Sequence, residues 1–221
     1  MNLITATQVI KKSPAENNFP KDIICRNLNK YIRAAFRGCL GYELLELLQD
    51  DLIDYSSNTV WCESDEYEDG NIAIYEGEAY IFSLVENEDA IVTPDCSANW
   101  KLLDKFMTPC YNALYPYLCD YLALYIYGRA LPFVRYKGAA LGAFIQTQDG
   151  NGGEALSTKD FASYQKYIEC ECAECLEELK EWIKCQHDEG TCDFSCVEFL
   201  HDCGDCKDEV QSSGRRIAFR W

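Results

Sequence analysis

The sequence predicts a mainly α protein: a helical bundle with an inserted small β-hairpin or three-stranded lobe and a C-terminal extended arm. Apolar residues recur at helical spacing in several long stretches, and a period of two replaces that spacing between Thr59 and Trp100. Alternation returns in the last eight residues. With 221 residues, 48% of them hydrophobic, the chain has enough apolar surface for one sizeable core.

The predicted boundaries follow these changes of period. Residues 1–19 are an N-terminal arm, 20–58 and 100–186 are the helical core, 59–99 are the β insertion, and 187–221 are a cysteine-rich tail with a terminal strand.

The first two helices are predicted to meet at a glycine corner. The first starts at Lys21 and ends at Gly38 and Gly41, because glycine adopts the left-handed closing conformation at little cost. The second carries its apolar side from Leu44 to Ile53.

Turn residues and prolines place the remaining elements. The Glu76–Gly77 pair predicts the hairpin turn of the insertion. A strongly apolar helix starts at Pro109, and Pro116 predicts a kink or a break near Tyr115. A glycine-rich loop follows over 138–153, and Ser157 caps a long helix that runs to about Lys184.

The net charge of −17 excludes several classes of partner. An acidic surface repels phosphate backbones and anionic membranes, so neither is expected to be bound tightly. No apolar run reaches the length of a membrane span, and the N-terminus lacks the pattern of a signal peptide. The protein is therefore expected to fold in a reducing cytoplasm, with its 14 cysteines as thiols or ligands.

Metal ligation and packing are the two interpretations of the cysteines. Cys203-x-x-Cys206 is half of a zinc site, with His201, Cys192 and Cys196 as further candidates. A free cysteine more often serves as a small buried hydrophobe. Packing is the favoured interpretation, and no metal or cofactor is predicted. The cysteines expected to be buried in this way are Cys25, Cys39, Cys110 and Cys119.

Signals for an enzyme are poor. Both histidines lie in the tail, and no orienting group or oxyanion hole is evident beside them, so no catalytic residue is predicted. The long helix also carries a run of carboxylates, which is typical of a solvated face rather than a cation site. Its members are Glu169, Glu171, Glu174, Glu177, Glu178 and Glu181.

The C-terminus is basic in an otherwise acidic protein, and its alternation predicts a strand. The strand either folds back onto its own chain or docks on an acidic neighbouring subunit. The candidate interface residues are Arg215, Arg216, Ile217, Phe219, Arg220 and Trp221, with Gly150 and Asn151 of the glycine-rich loop.

The corner Leu40-Gly41-Tyr42-Glu43-Leu44, continued to Leu48, resembles the head-to-tail connector (adaptor) proteins of tailed bacteriophages. A variable excursion, an apolar helix, a loop, a long capped helix and a C-terminal tail follow in the same order. Cysteine and tyrosine usage is similar to versions in phages of gut Bacteroides, including crAss-like phages.

This resemblance implies a virion structural protein without enzymatic activity. It would form a homo-oligomeric ring, of portal symmetry such as a dodecamer, that joins the portal to the tail and surrounds the DNA passage. The implied partners are other copies, the portal, other neck or tail rings and passing genomic DNA that is not held tightly. The implied location is the virion neck, after assembly in the bacterial host cytoplasm.

The insertion resembles a small module shared by some chitin-binding domains and phage structural proteins. Trp61, Tyr75 and Tyr80 match its aromatic positions, and Trp100 is expected in the core, which leaves Trp61 as the free tryptophan. The resemblance implies a carbohydrate- or ligand-binding module as the alternative function, or a lobe that contacts other neck proteins. A regulatory protein stabilised by zinc in the tail is a third possibility.

Overall fold

The computed structural model describes residues 3–15, 19–83, 93–141 and 158–201, which are mainly helical with a small mixed sheet. The helices are α1 (Ala6–Lys12), α2 (Lys21–Cys39), α3 (Tyr42–Asp50), α4 (Pro109–Leu141), α5 (Thr158–Asp188) and α6 (Glu198–His201). The strands are β1 (Thr59–Val60), β2 (Ile72–Tyr75), β3 (Glu78–Phe82) and β4 (Trp100–Leu102).

Helix α4 lies at the centre of the core, because α1, α2 and α5 all pack against it. Leu114, Leu118, Leu122 and Ile126 are fully buried, and the hydroxyl of Tyr121 donates to a carbonyl of α2. A helix that is apolar on most sides can be buried only if other elements cover it. The positions of α2 and α5 follow from that requirement.

Of the predicted kink or break near Tyr115, the break does not occur, because α4 continues through Pro116 and Pro132 to Leu141. Pro116 lies on the exposed side of the helix, where water can satisfy the carbonyl that proline leaves without a donor. Helix α4 also takes up the start of the predicted 138–153 loop, and the rest of that loop lies outside the described residues.

The predicted glycine corner is present between α2 and α3. Gly41 has a φ of +85°, and the amides of Leu40 and Gly41 both donate to the carbonyl of Phe36, at 3.0 and 2.9 Å. Glycine therefore closes α2 and starts α3 within two residues.

The prediction of an extended N-terminal arm over 1–19 is wrong for its first half. Thr5 and Gln8 form a capping box that starts α1, and Leu3, Ile4 and Val9 are fully buried. The few apolar residues of this segment share one side of a short helix, and burying that side against α4 holds the helix in place.

The insertion is a four-stranded sheet rather than a hairpin or three strands. The strand order is β1-β2-β3-β4, with β1 parallel to β2 and the other pairs antiparallel. Glu76 and Gly77 form the predicted turn, and both have positive φ. Pairing of β4 with β3 extends the lobe beyond the predicted boundary at residue 99, because the ladder needs Trp100–Leu102 to satisfy the outer edge of β3.

The lobe leaves and rejoins the helical core at one place. Leu52 and Phe106 form an isolated antiparallel bridge, and the amide of Met107 donates to the carbonyl of Asp51. The Asp51 carboxylate accepts from the amide of Thr108 at 2.8 Å and from its hydroxyl at 2.9 Å. The residues before the lobe thus fix the start of α4.

A disulfide between Cys110 and Cys192 corrects the expectation that the cysteines are thiols or ligands. After α5 the chain turns at Gly190 and buries Phe194 completely against the core, which brings Cys192 to the first turn of α4. The two cysteines are 82 residues apart in the sequence, and no sequence pattern indicates that they pair.

The other three cysteines predicted to be buried differ among themselves. Cys119 is buried and Cys39 is half-buried, as expected for packing residues. Cys25 is exposed, because it lies on the solvent side of α2 rather than in the apolar stripe.

Candidate functional site

The three aromatic residues predicted as a ligand lobe do come together. The ring of Trp61 meets Tyr75 edge-on at a centroid distance of 5.3 Å, and Tyr75 lies 6.5 Å from Tyr80. Tyr80 is only 7% exposed, and Trp61 packs on the same cluster, so Trp61 is not a free tryptophan. Tyr80 belongs to the buried core of the lobe, with Trp100 buried beside it as predicted, and Trp61 and Tyr75 are partly buried against that core.

A separate open groove of about 830 Å³ lies on the lobe. It is lined by residues 57–59, 64–67 and 70–72, most of them polar. Trp61, Tyr75 and Tyr80 do not line it. A ligand of the lobe would therefore meet a polar groove rather than a platform of those three rings.

A network of polar side chains joins the lobe to the helical core, and we call it the polar junction: Gln8, Glu78, Tyr80, Lys105 and Tyr115. The amide nitrogen of Gln8 donates to Glu78 at 3.0 Å and to the Tyr115 hydroxyl at 3.1 Å. Lys105 donates to the same hydroxyl at 2.7 Å, and Tyr80 donates to Glu78 at 3.2 Å.

Burial controls the electrostatics of this junction. It lowers the pKa of Lys105 to about 8 and raises the pKa of the Tyr115 hydroxyl. Burial also raises the pKa of the neighbouring Cys119 thiol, so the thiol stays protonated and unreactive at neutral pH. No residue of the junction lines the groove, so the network holds two parts of the fold together rather than facing a substrate.

No pattern in the sequence indicates the polar junction. Its members come from α1, β3, the segment after β4, and α4. Their proximity depends on how the lobe docks, and no spacing within one element reveals that.

Helix α2 carries a row of cations that sequence analysis also missed, and we call it the basic stripe: Arg26, Lys30, Arg33 and Arg37. All four are exposed. Their spacing of i, i+4, i+7 and i+11 places them within about 60° of the helix surface. The spacing of these cations is visible in the sequence, but the prediction of this helix was based on its apolar stripe.

Helix α5 presents carboxylates on its solvent side, as predicted for a solvated face. Glu174, Glu178 and Glu181 are exposed at i, i+4 and i+7, and we call them the acidic stripe. Glu177 is exposed beside them and pairs with Lys180 at 2.9 Å, whereas Glu169 and Glu171 are partly buried. Two helices that pack on α4 therefore expose opposite charges.

Most of the predicted tail and metal residues lie outside the described residues. These are Gly150, Asn151, Cys203, Cys206, Arg215, Arg216, Ile217, Phe219, Arg220 and Trp221. Cys192 is disulfide-bonded and therefore is not a metal ligand, and Cys196 is half-buried. His201 ends α6. In the ranges that the structure describes, no three His, Cys, Asp or Glu side chains are grouped to hold a metal ion.

Comparisons with protein-family models, curated proteins and solved structures find no match to this chain. Of the helices in the described ranges, none carries an apolar stretch of bilayer-spanning length.

Proposed function

We propose that this chain is a virion structural protein that forms a homo-oligomeric ring between the portal and the tail of a tailed bacteriophage. The observation that carries the proposal is the α2–α3 corner at Gly41, which has the sequence of the connector resemblance and a φ of +85°. A β excursion, an apolar helix and a long helix follow it in the order of those proteins.

The arrangement of α2, α4 and α5 supports a helical bundle as the ring-forming body. Both α2 and α5 pack on α4 and leave one charged side facing solvent. In a ring, such sides meet neighbouring copies, while the lobe, attached at Leu52 and Phe106, projects toward other neck proteins.

The acidic composition supports a passage for DNA. A net charge of −17 repels the genome, so the genome slides past the wall instead of adhering to it. Single-particle imaging of an assembled ring would locate the carboxylates, and their confinement to the outer rim would contradict this role.

Immunogold labelling of purified phage particles tests the proposed location directly. Antibody against the chain should label one position per particle, between head and tail. Electron microscopy of the purified protein, alone and with the portal, should show rings. Absence of the chain from mature particles, together with turnover of a substrate, would overturn the proposal.

The C-terminal arm is proposed to dock on the neighbouring subunit. Deletion of residues 214–221 should leave the melting temperature unchanged and reduce ring formation. Replacement of the same eight residues by a Gly/Ser sequence is the matched control for chain length. A loss of folding on deletion would instead indicate that the strand completes its own core.

Binding of a carbohydrate by the β lobe is the second candidate, favoured by the polar groove. Thr59 lines this groove on an exposed two-residue strand, so Thr59→Trp would obstruct part of the groove without removing a core residue. Glycan-array binding that is lost in Thr59→Trp and kept in Lys101→Ala, an exposed site outside the groove, would support this candidate. If no glycan on the array binds, this second candidate is rejected and the ring remains the proposed function.

A further inference from the structure

We infer that the basic stripe of α2 in one copy docks on the acidic stripe of α5 in the next copy. This inference rests on the proposed function, since it names the contact by which the ring would assemble. It commits to a second copy of this chain as the occupant of the basic stripe.

The charges of the two stripes have few partners in the part of the chain that the structure describes. Among the described residues, the ion pair that the basic stripe makes is Arg26 with Asp22 on the same helix, at 3.4 Å. Lys30, Arg33 and Arg37 make no ion pair within those residues, and neither do Glu174, Glu178 and Glu181. Complementary rows left open on one molecule can satisfy each other between molecules.

The spacing of the two rows matches. Arg26, Lys30 and Arg33 repeat the i, i+4, i+7 spacing of the acidic stripe, so aligned parallel helices bring the charges opposite each other. Read backwards, Arg37, Arg33 and Lys30 show the same steps, so antiparallel helices match as well. Three charges at these positions span about 10 Å on either helix, which is two turns.

The geometry of such a contact is head-to-tail. The two stripes lie on different helices, so each copy offers one to each neighbour, and repeated contacts close a ring when the rotation between copies allows it. Exposed ion pairs add little affinity individually, but a matched row sets register and increases the association rate.

Nucleic acid is the competing occupant of a basic stripe. Four cations on one helix face could contact phosphates. However, the chain carries 37 acidic against 20 basic residues, and this net negative charge repels DNA as it approaches. The acidic stripe of a second copy has the opposite charge and the same spacing, which a DNA duplex does not match against the acidic remainder of the protein.

Charge reversal with a mixing test separates these occupants. Lys30→Glu/Arg33→Glu reverses the basic stripe and Glu178→Arg/Glu181→Arg reverses the acidic stripe, and these four positions face each other in both the parallel and the antiparallel alignment. Lys101→Glu/Lys166→Glu is the control, because both lysines are exposed outside the two stripes and the change in net charge equals that of the first variant. Circular dichroism and melting curves establish that each full-length variant folds.

Assembly is measured by mass photometry and sedimentation velocity over a concentration series. Each stripe variant alone should need about tenfold more protein than wild type to assemble, because like charges then face each other. An equimolar mixture of the two variants should regain wild-type assembly, since each then offers the stripe that the other needs. The control should assemble like wild type, and wild-type assembly should weaken between about 0.05 M and 0.5 M salt.

Three results would overturn the inference: stripe variants that assemble like wild type, a mixture that gains nothing, or a wild-type chain and mixture that are monomeric throughout. Binding of a labelled DNA duplex that the Lys30→Glu/Arg33→Glu variant loses would assign the stripe to nucleic acid instead. Neck labelling of virions with no effect of mixing would reject this contact and leave the proposed function standing. If mixing restores assembly but the protein is absent from virions, the contact between the stripes stands and the proposed function is rejected.

Discussion

Thr5 lies directly against the backbone of Gly77, at the point where the N-terminal helix meets the hairpin of the β lobe. The Thr5 hydroxyl donates to the carbonyl of Glu76 at 3.4 Å, and its methyl group fills the space where any other residue at position 77 would place its Cβ. The capping residue of α1 therefore also fixes the lobe.

Gly77→Ala should destabilise the protein by about 2 kcal/mol or more, because it combines a left-handed backbone with a clash against Thr5. Gly70→Ala is the matched control. Gly70 has a φ of +87°, close to the +89° of Gly77, and a Cβ added at Gly70 meets nothing within 4 Å. Gly70→Ala should cost only about 1 kcal/mol, from backbone strain. Urea unfolding measures both, and equal losses would show that the Thr5 contact is unimportant.

Loss of the Cys110–Cys192 disulfide should destabilise the oxidised protein by about 2–4 kcal/mol, since the bond closes a long loop in the unfolded chain. Cys192→Ser should melt at a lower temperature than wild type without reductant and at about the same temperature with it. Cys185→Ser, at an exposed free cysteine, should match wild type in both conditions. Differential scanning calorimetry with and without reductant gives the comparison. If reductant leaves the melting of wild type unchanged, the bond does not contribute.

Asp51→Ala should cost about 1–2 kcal/mol, because it leaves the amide of Thr108 without its acceptor at the start of α4. The neighbouring Asp50 is exposed, so Asp50→Ala controls for the loss of one carboxylate. Thermal unfolding should separate the two variants. If both variants lose the same stability, the hydrogen bonds from Thr108 to the Asp51 carboxylate do not position α4.

The buried amine of Lys105 should make stability depend on pH above neutrality. Its pKa is about 8 in the folded chain and about 10.5 in the unfolded chain, so between these values the unfolded chain binds more protons. The contribution of Lys105 to the free energy of unfolding should therefore rise as pH increases through this window, and below about pH 8 the folded chain carries the full penalty of a buried charge.

Lys105→Met removes this dependence. The stability of the variant relative to wild type should fall between pH 7 and about pH 9.5 in urea unfolding, whatever its offset at neutral pH. Lys101→Met, at an exposed lysine, controls for the loss of a surface charge. An unchanged difference between Lys105→Met and wild type across this range would mean that the amine is solvated.

Local patterns predicted the elements where one residue type determines the backbone. Gly41 and the Glu76–Gly77 turn were identifiable because few other residues take positive φ there at low cost. The start of α4 at Pro109 was identifiable as well, because proline suits the first turn of a helix. At Pro116 the local preference of proline did not determine the backbone. The packing of α4 between its neighbours outweighs the tendency of proline to break the helix.

Contacts between distant segments were beyond the reach of such patterns. The N-terminal segment became a helix because α4 and α2 bury its apolar side. Cys192 became a disulfide partner because the chain after α5 folds back to α4. The polar junction likewise needs α1, β3 and α4 in one place before its hydrogen bonds exist. None of these contacts has a signature within one element.

Periodicity, turn residues and charge act over a few neighbouring positions, so the sequence alone predicts the mainly helical class, the inserted lobe and the acidic character of the protein. Which residues share a surface depends on how distant elements pack. Tyr80 entered the core of the lobe with Trp61 and Tyr75 packed against it, while the cations of α2 and the carboxylates of α5 were left facing solvent. Packing buries the apolar groups of several elements together, and charged groups stay outside because their burial without a partner costs too much free energy.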